Sequence, residues 1–137
     1  MADNNDWIKD WPNAINWFEI PCEDFDRARA FYGALYGEEL RTSVHTSTMG
    51  DEMQMAFLPA KYDGVGGAVV KFKEQRPSKG GVLVYLTAGR DLTETLQRVE
   101  PAGGNVIVPK TKISDEHGYF ALFNDTEGNE LGLHSPE

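Results

Sequence analysis

The sequence is short of cysteine, of basic charge and of long apolar runs, and each shortage excludes something. Cys22 is the only thiol, so no internal disulfide forms and the chain suits a reducing compartment. No apolar stretch approaches the roughly 20 residues needed to cross a bilayer. The opening MADNNDWIKD is polar and acidic, the opposite of a secretory signal. These features predict a cytoplasmic protein without a membrane partner. Against 22 Asp and Glu stand 13 Lys and Arg, for a net charge of −9. Nucleic-acid binding draws on Lys and Arg to displace counterions, so this balance argues against such a partner. The basic cluster Lys71, Lys73, Arg76 and Lys79 reads as a solvated connecting loop. An acidic surface favours cationic ligands, although it serves solubility as readily.

What is present is a repeat. The 137 residues, 40% hydrophobic, suffice for one domain with a sizeable core, taken here as 1–137. Residues 14–20 (AINWFEI) read as a strand, and Asp24 stands as N-cap to a helix over 25–36. Phe25, Ala28, Phe31, Tyr32 and Leu35 recur at helical spacing to give one buried face, and Gly37 stops the helix. The same grammar returns in a strand at 82–88, a capping Asp91, and a helix over 92–101 ending at Gly103-Gly104. Leu92, Leu96 and Val99 are its inward side chains. An offset of 67 maps Trp17 to Val84, Asp24 to Asp91, Phe25 to Leu92 and Gly37 to Gly104. Three further strands follow each helix, at 39–47, 52–59 and 65–73, then at 105–109, 119–124 and 129–134. The Pro- and Gly-bearing segment 74–81 links a first module, 13–73, to a second, 82–135. The fold class is therefore α+β: two tandem βαβββ modules forming a curved mixed-sheet cup with helices outside.

The run Phe18-Glu19-Ile20-Pro21, then Asp24-Phe25-Asp26-Arg27-Ala28 and Phe31-Tyr32, resembles the opening of a vicinal oxygen chelate module. The ending Phe123-Asn124-Asp125-Thr126-Glu127-Gly128-Asn129-Glu130-Leu131 resembles the close of one. That superfamily includes glyoxalase I, extradiol dioxygenases, fosfomycin-resistance proteins and bleomycin-binding proteins. The resemblance covers residues 13–135 and implies a cup that holds a divalent metal on first and last strands of each module. It places the first-strand ligands seven residues before the capping Asp, at Trp17 and Val84, and a last-strand ligand at Gly132. The matching position in the first module is Ala68 or Val70. None of these side chains is a metal donor, so no metal and no cofactor are expected.

Strand alternation shows what else shares the cup face. It groups Trp17 with Glu19, and Met53, Met55 and Phe57 with one another. In the second module it sets Val82, Val84 and Leu86 in the cup and Leu83 and Tyr85 against the helix, with Gly132 and His134 facing inward on the last strand. The candidate ligand-binding residues are therefore Trp17, Glu19, Met53, Met55, Phe57, Val84 and His134, an apolar hollow with few polar groups. Each has a plainer reading. Trp17 fills the space of a metal, the Met and Phe side chains pack a core or a dimer contact, and His134 is a solvated chain end. Glu19 interrupts an apolar strand and is the candidate catalytic base; its alternatives are an ion pair with an Arg, or pairing with His134 or a cationic ligand. His45 and His117 show no metal spacing, Cys22 packs, and Gly64, Gly66 and Gly67 belong to a hairpin rather than a phosphate loop.

Three functions fit. The first is a metal-free protein that sequesters or senses a small organic molecule. The second is a glyoxalase-type lyase or isomerase using Glu19, or a metal relocated to Glu19 and His134. The third is a vestigial module acting through homodimer assembly, with the Met and aromatic stripe and a Trp7/Trp11 arm as the contact.

Overall fold

A computed structural model describes residues 13–73 and 75–137, so the Trp7/Trp11 arm lies outside the described residues. The first module runs β1 (Trp17–Pro21), α1 (Phe25–Tyr36), β2 (Thr42–Thr46), β3 (Glu52–Phe57) and β4 (Gly66–Lys71). The second runs β5 (Tyr85–Thr87), α2 (Thr93–Gln97), β6 (Asn105–Ser114), β7 (Gly118–Asn124) and β8 (Glu130–Ser135). Their sheets have the orders β1-β4-β3-β2 and β5-β8-β7-β6. In each, the first strand pairs parallel with the last and the remaining pairs are antiparallel. This is the expected pair of βαβββ modules, an α+β cup with helices outside.

Helix α1 forms for the reasons its sequence supplies. The Asp24 carboxylate accepts the Arg27 amide proton at 3.0 Å, and Phe25, Ala28, Phe31, Tyr32 and Leu35 are buried. Gly37 closes it in the left-handed region at φ 71, and the Glu38 amide donates to Gly33 O at 2.9 Å. The second helix is shorter than the predicted 92–101. Two Thr residues weaken it, and Pro101 supplies no N–H and disfavours helix at Glu100. The chain continues instead as turns, with bonds from Val99 to Leu96 O, Ala102 to Arg98 O and Gly103 to Glu100 O. Leu92 and Val99 are still fully buried, so the inward face forms without the full helix.

Three strand lengths also differ from expectation. Strand β2 is trimmed from 39–47 to five residues, and β5 from 82–88 to three. Gly80 and Gly81 precede β5, and Val82 is 92% exposed. Strand β6 runs on past Pro109 to Ser114, because it is the edge of its sheet and an edge tolerates a missing N–H. Register shifts between Val106 and Val108, Val108 and Thr111, and Lys112 and Ser114 absorb the proline.

One buried cluster draws on both modules, bringing Ile20, Phe31, Tyr32, Leu35 and Val69 together with Leu86, Leu92, Ala121, Phe123 and Leu133. The Phe31 and Phe123 rings lie 6.2 Å apart across the module boundary. A polar clamp fastens the same boundary. The Glu127 carboxylate, its side chain 0% exposed, accepts from the Glu23 and Asp24 amides at 2.9 and 2.7 Å, and from Arg27 Nε at 2.7 Å. Asp125 accepts the Tyr32 hydroxyl at 2.8 Å together with the Glu127 and Asn129 amides. Burial, and then the Asp125 carboxylate, push the Tyr32 phenol well up and keep it a donor. Asn129 Nδ2 reaches back to Pro21 O at 2.7 Å. Composition marked 125–129 only as a turn; the turn also ties β8 to the start of α1.

Candidate functional site

On the face of the first sheet turned away from the helix, directly paired residues stand side by side. Glu19 pairs with Ala68 and Ala68 with Phe57; Val70 pairs with Met55, and Met53 with His45. Trp17 is 42% exposed, and its ring lies 6.2 Å from that of Phe57 at 59°. The structure thus places Trp17, Glu19, Met53, Met55 and Phe57 on one face. Central Ala68 and Val70 are fully buried beneath their neighbours, while Met53, Met55 and Phe57 are half-buried.

Glu19 has partners other than the Arg weighed from sequence. Trp17 Nε1 donates to its Oε2 at 3.2 Å, and Gln75 Nε2 donates to its Oε1 at 2.8 Å. Gln75 sits in the predicted linker, and nothing in that Pro- and Gly-bearing stretch marked it. Its own Oε1 is buried without a hydrogen-bond partner, an acceptor left over beside Glu19.

On β5 the predicted faces are inverted, whereas β8 keeps Leu131 and Leu133 in the core and Gly132 and His134 on the other face. The Cys22 amide donates to Val70 O at 3.0 Å, and the Ala88 amide to His134 O at 3.1 Å, each ending its parallel pair. Cys22 therefore corresponds to Ala88, an offset of 66, whereas Asp24 and Asp91 are offset by 67. Gly89 is the extra residue. The helix ends return to 66: Gly103, at φ 108, matches Gly37, and the Gly104 amide bonds to Val99 O as that of Glu38 does to Gly33 O. A shift of one residue turns every strand side chain over. Val84 packs against the core instead of facing the cup, and Leu86 is buried with Leu133. Tyr85, expected against the helix, faces outward at 48% exposure.

Around Tyr85 lie Phe120, Ile113 and His134, lining a hollow of about 460 Å³. The Tyr85 and Phe120 rings meet edge to face, 6.5 Å apart. His134 is exposed, and its Nε2 lies 2.7 Å from His117 O, so its ring is engaged within its own module. The expected pairing of Glu19 with His134 does not form. Cys22 is buried, and its thiol donates to Val70 O at 3.4 Å. Burial pushes that thiol up to about 12, which removes it as a nucleophile.

The glyoxalase/bleomycin resistance protein/dioxygenase superfamily model matches residues 14–133, from the strand that carries Trp17 to the one that carries Gly132. The chain belongs to that superfamily. A glyoxylase-like domain-containing protein from Didymella fabae is 29% identical over 115 residues, covering 84% of this chain and 88% of the relative. A glyoxalase family protein from Bacillus cereus shares the fold at a TM-score of 0.65 and 15% identity, covering 93% of this chain and 96% of that one. TnmS3, an antibiotic binding protein from Streptomyces sp. CB03234, matches at a TM-score of 0.59 and 23% identity, covering 91% and 97%.

Within this superfamily chain the metal positions can be tested side chain by side chain. Trp17, Ala68, Val70 and Gly132 carry no metal donor, and neither does Leu83, which the 66-residue strand offset matches to Trp17 in place of Val84. Gly132 also lies under the Tyr85 ring, which would have to move for any side chain there. Among the described residues, no three His, Cys, Asp or Glu side chains converge. The residues present do not fit a divalent metal at the superfamily's position.

Proposed function

We propose that this superfamily member binds a small, planar organic molecule on the cup face of its first module, sequestering or sensing it without a metal. The observation that carries the reading is the half-exposed Trp17–Phe57 pair, flanked by Met55, with Glu19 accepting the Trp17 indole N–H. Aromatic faces supply stacking area, and thioethers adapt to shape. The structural likeness to an antibiotic binding protein supports a small-molecule ligand. Each Glu19 oxygen accepts one hydrogen bond, from Trp17 and from Gln75, so Glu19 orients both side chains beside the ligand.

Purified protein is expected to carry no stoichiometric divalent metal; elemental analysis showing one tightly bound ion per chain overturns the metal-free reading. In a thermal-shift screen of planar aromatics and antibiotics, hits should stabilise the wild type. Trp17→Ala should bind them about three- to tenfold more weakly, the value of one stacking contact. Glu19→Gln, which leaves Trp17 without its anionic acceptor, should weaken them less. A screen in which Trp17→Ala and Glu19→Gln both respond like the wild type removes the site from this face.

Homodimer assembly belongs to the same proposal. Ile15 and Tyr85, 46% and 48% exposed, flank a crevice between the two modules that a second copy would cover. Light scattering should give twice the 15.3 kDa of one chain, and a single-chain mass at every concentration rejects the dimer.

A further inference from the structure

At the end of the first sheet, Trp17 and Phe57 open into a cleft of about 630 Å³ lined also by Arg41, Lys61, Tyr62 and Glu38. Its charge reverses that of the whole chain. Among the described residues every Lys and Arg except Arg41, Lys61 and Lys79 holds a carboxylate or a backbone carbonyl. Two of those three line this one cleft, in a chain with 22 acidic residues available to pair with them. Glu38 is the single carboxylate on the wall, and it forms no ion pair with either cation.

Position matters as much as charge. The Phe57 amide donates to Arg41 O at 2.9 Å, one step beyond the Thr42–Ala56 pair, so Arg41 stands directly across from Phe57 and shares its face. Phe57 in turn meets Trp17. Lys61 sits on the tight turn between β3 and β4, where the Gly64 amide bonds back to Lys61 O at 2.9 Å. Two cations thus stand at the edge of an aromatic surface, each with its donors uncommitted.

We propose that Arg41 and Lys61 receive the carboxylate, sulfonate or phosphonate of a planar aromatic ligand whose ring lies against Trp17 and Phe57. This assignment rests on the cup face of the first module being the ligand site, and it sets the ligand's charge opposite to that suggested by the acidic composition. Arg offers a fork of donors matched to an oxyanion, and Lys adds a point charge that reaches over the cleft.

Three probes of one shape test it on the full chain: 2-naphthoate, neutral 2-naphthamide and cationic 2-naphthylmethylammonium, followed by calorimetry and by quenching of indole fluorescence. The naphthoate should bind about tenfold more tightly than the amide at low ionic strength, with the margin collapsing at high salt. Arg41→Gln and Lys61→Gln should each weaken the naphthoate about threefold and leave the amide unchanged. Both residues are exposed, so these variants should keep the wild-type melting temperature. Equal binding of acid and amide, or tighter binding of the ammonium, overturns the anion assignment while leaving the aromatic site standing. Failure of all three probes to bind overturns the anion assignment and the site together.

Discussion

Replacing Glu127 with alanine is expected to cost on the order of 3–5 kcal/mol of folding stability, measured by urea unfolding. The carboxylate is fully buried, and its removal orphans the Glu23 and Asp24 amides at the start of α1 while freeing Arg27. Those amides belong to the first module and the carboxylate to the second, so the loss falls on the contact that joins the modules. Glu127→Gln keeps the shape but points two N–H donors at a cluster of donors; it should cost about 2 kcal/mol, less than the alanine variant. Acid should show the same clamp. Burial alone raises the Glu127 carboxyl, but hydrogen bonds from Arg27, Asp24, Thr126 and Glu23 outweigh it and bring the group from its ordinary 4.5 down to about 2. A carboxyl depressed by folding contributes fully above its unfolded value. Its stabilisation is lost as pH falls from about 4.5 toward 2. Wild-type stability should therefore drop across that window, and Glu127→Ala should drop less. Parallel acid profiles for the two proteins remove the clamp as an energetic feature.

The repeat was legible in the sequence because it is written in the residues with the strongest local chemistry. Asp24 caps, Asp91 accepts the Thr93 amide one residue ahead of the Leu92 N-cap, Gly37 stops, and the spacing of Phe25, Ala28, Phe31, Tyr32 and Leu35 defines a buried face. The helix offset holds to within one residue because caps and stops are local. Strand faces are less forgiving, and Gly89 alone moved Val84 into the core and Tyr85 out of it. The edge position of β6 was hidden too, because Pro109 reads as an end until its missing N–H is seen to face no partner strand. On the cup face, alternation grouped Trp17 with Glu19 and Met53 with Met55 and Phe57, while Gln75 was out of reach. Its contact with Glu19 spans 56 residues and has no local periodicity to announce it. The Arg41 position, across from Phe57, likewise depends on register rather than on spacing.

Gly132→Glu puts a carboxylate at the last-strand position where the superfamily resemblance implies a metal ligand, and it is expected to damage the protein rather than equip it. The position is buried, and even a single Cβ meets the Tyr85 ring, so Gly132→Ala already requires that ring to move. Overpacking of this kind costs about 1–3 kcal/mol, and a carboxylate drawn partly out of water adds its own desolvation. Gly132→Glu should therefore lose on the order of 3 kcal/mol or more, with a melting temperature that excess Mn²⁺ or Ni²⁺ does not recover. Pairing isolates the cause. In a Tyr85→Ala background the Gly132→Ala step should cost at least about 1 kcal/mol less, since residues in contact do not act additively. The Tyr85–Phe120 contact would be lost in that background, so the single Tyr85→Ala variant supplies the reference. A Gly132→Glu protein as stable as the wild type, and further stabilised by a divalent ion, would show the opposite. Tyr85 would then be a removable cover over a position that still accepts a ligand, and the absence of donors at Trp17, Ala68 and Val70 would not prevent metal binding. The expected result instead makes the ring of Tyr85 part of the packing at the position where the superfamily resemblance implies a ligand.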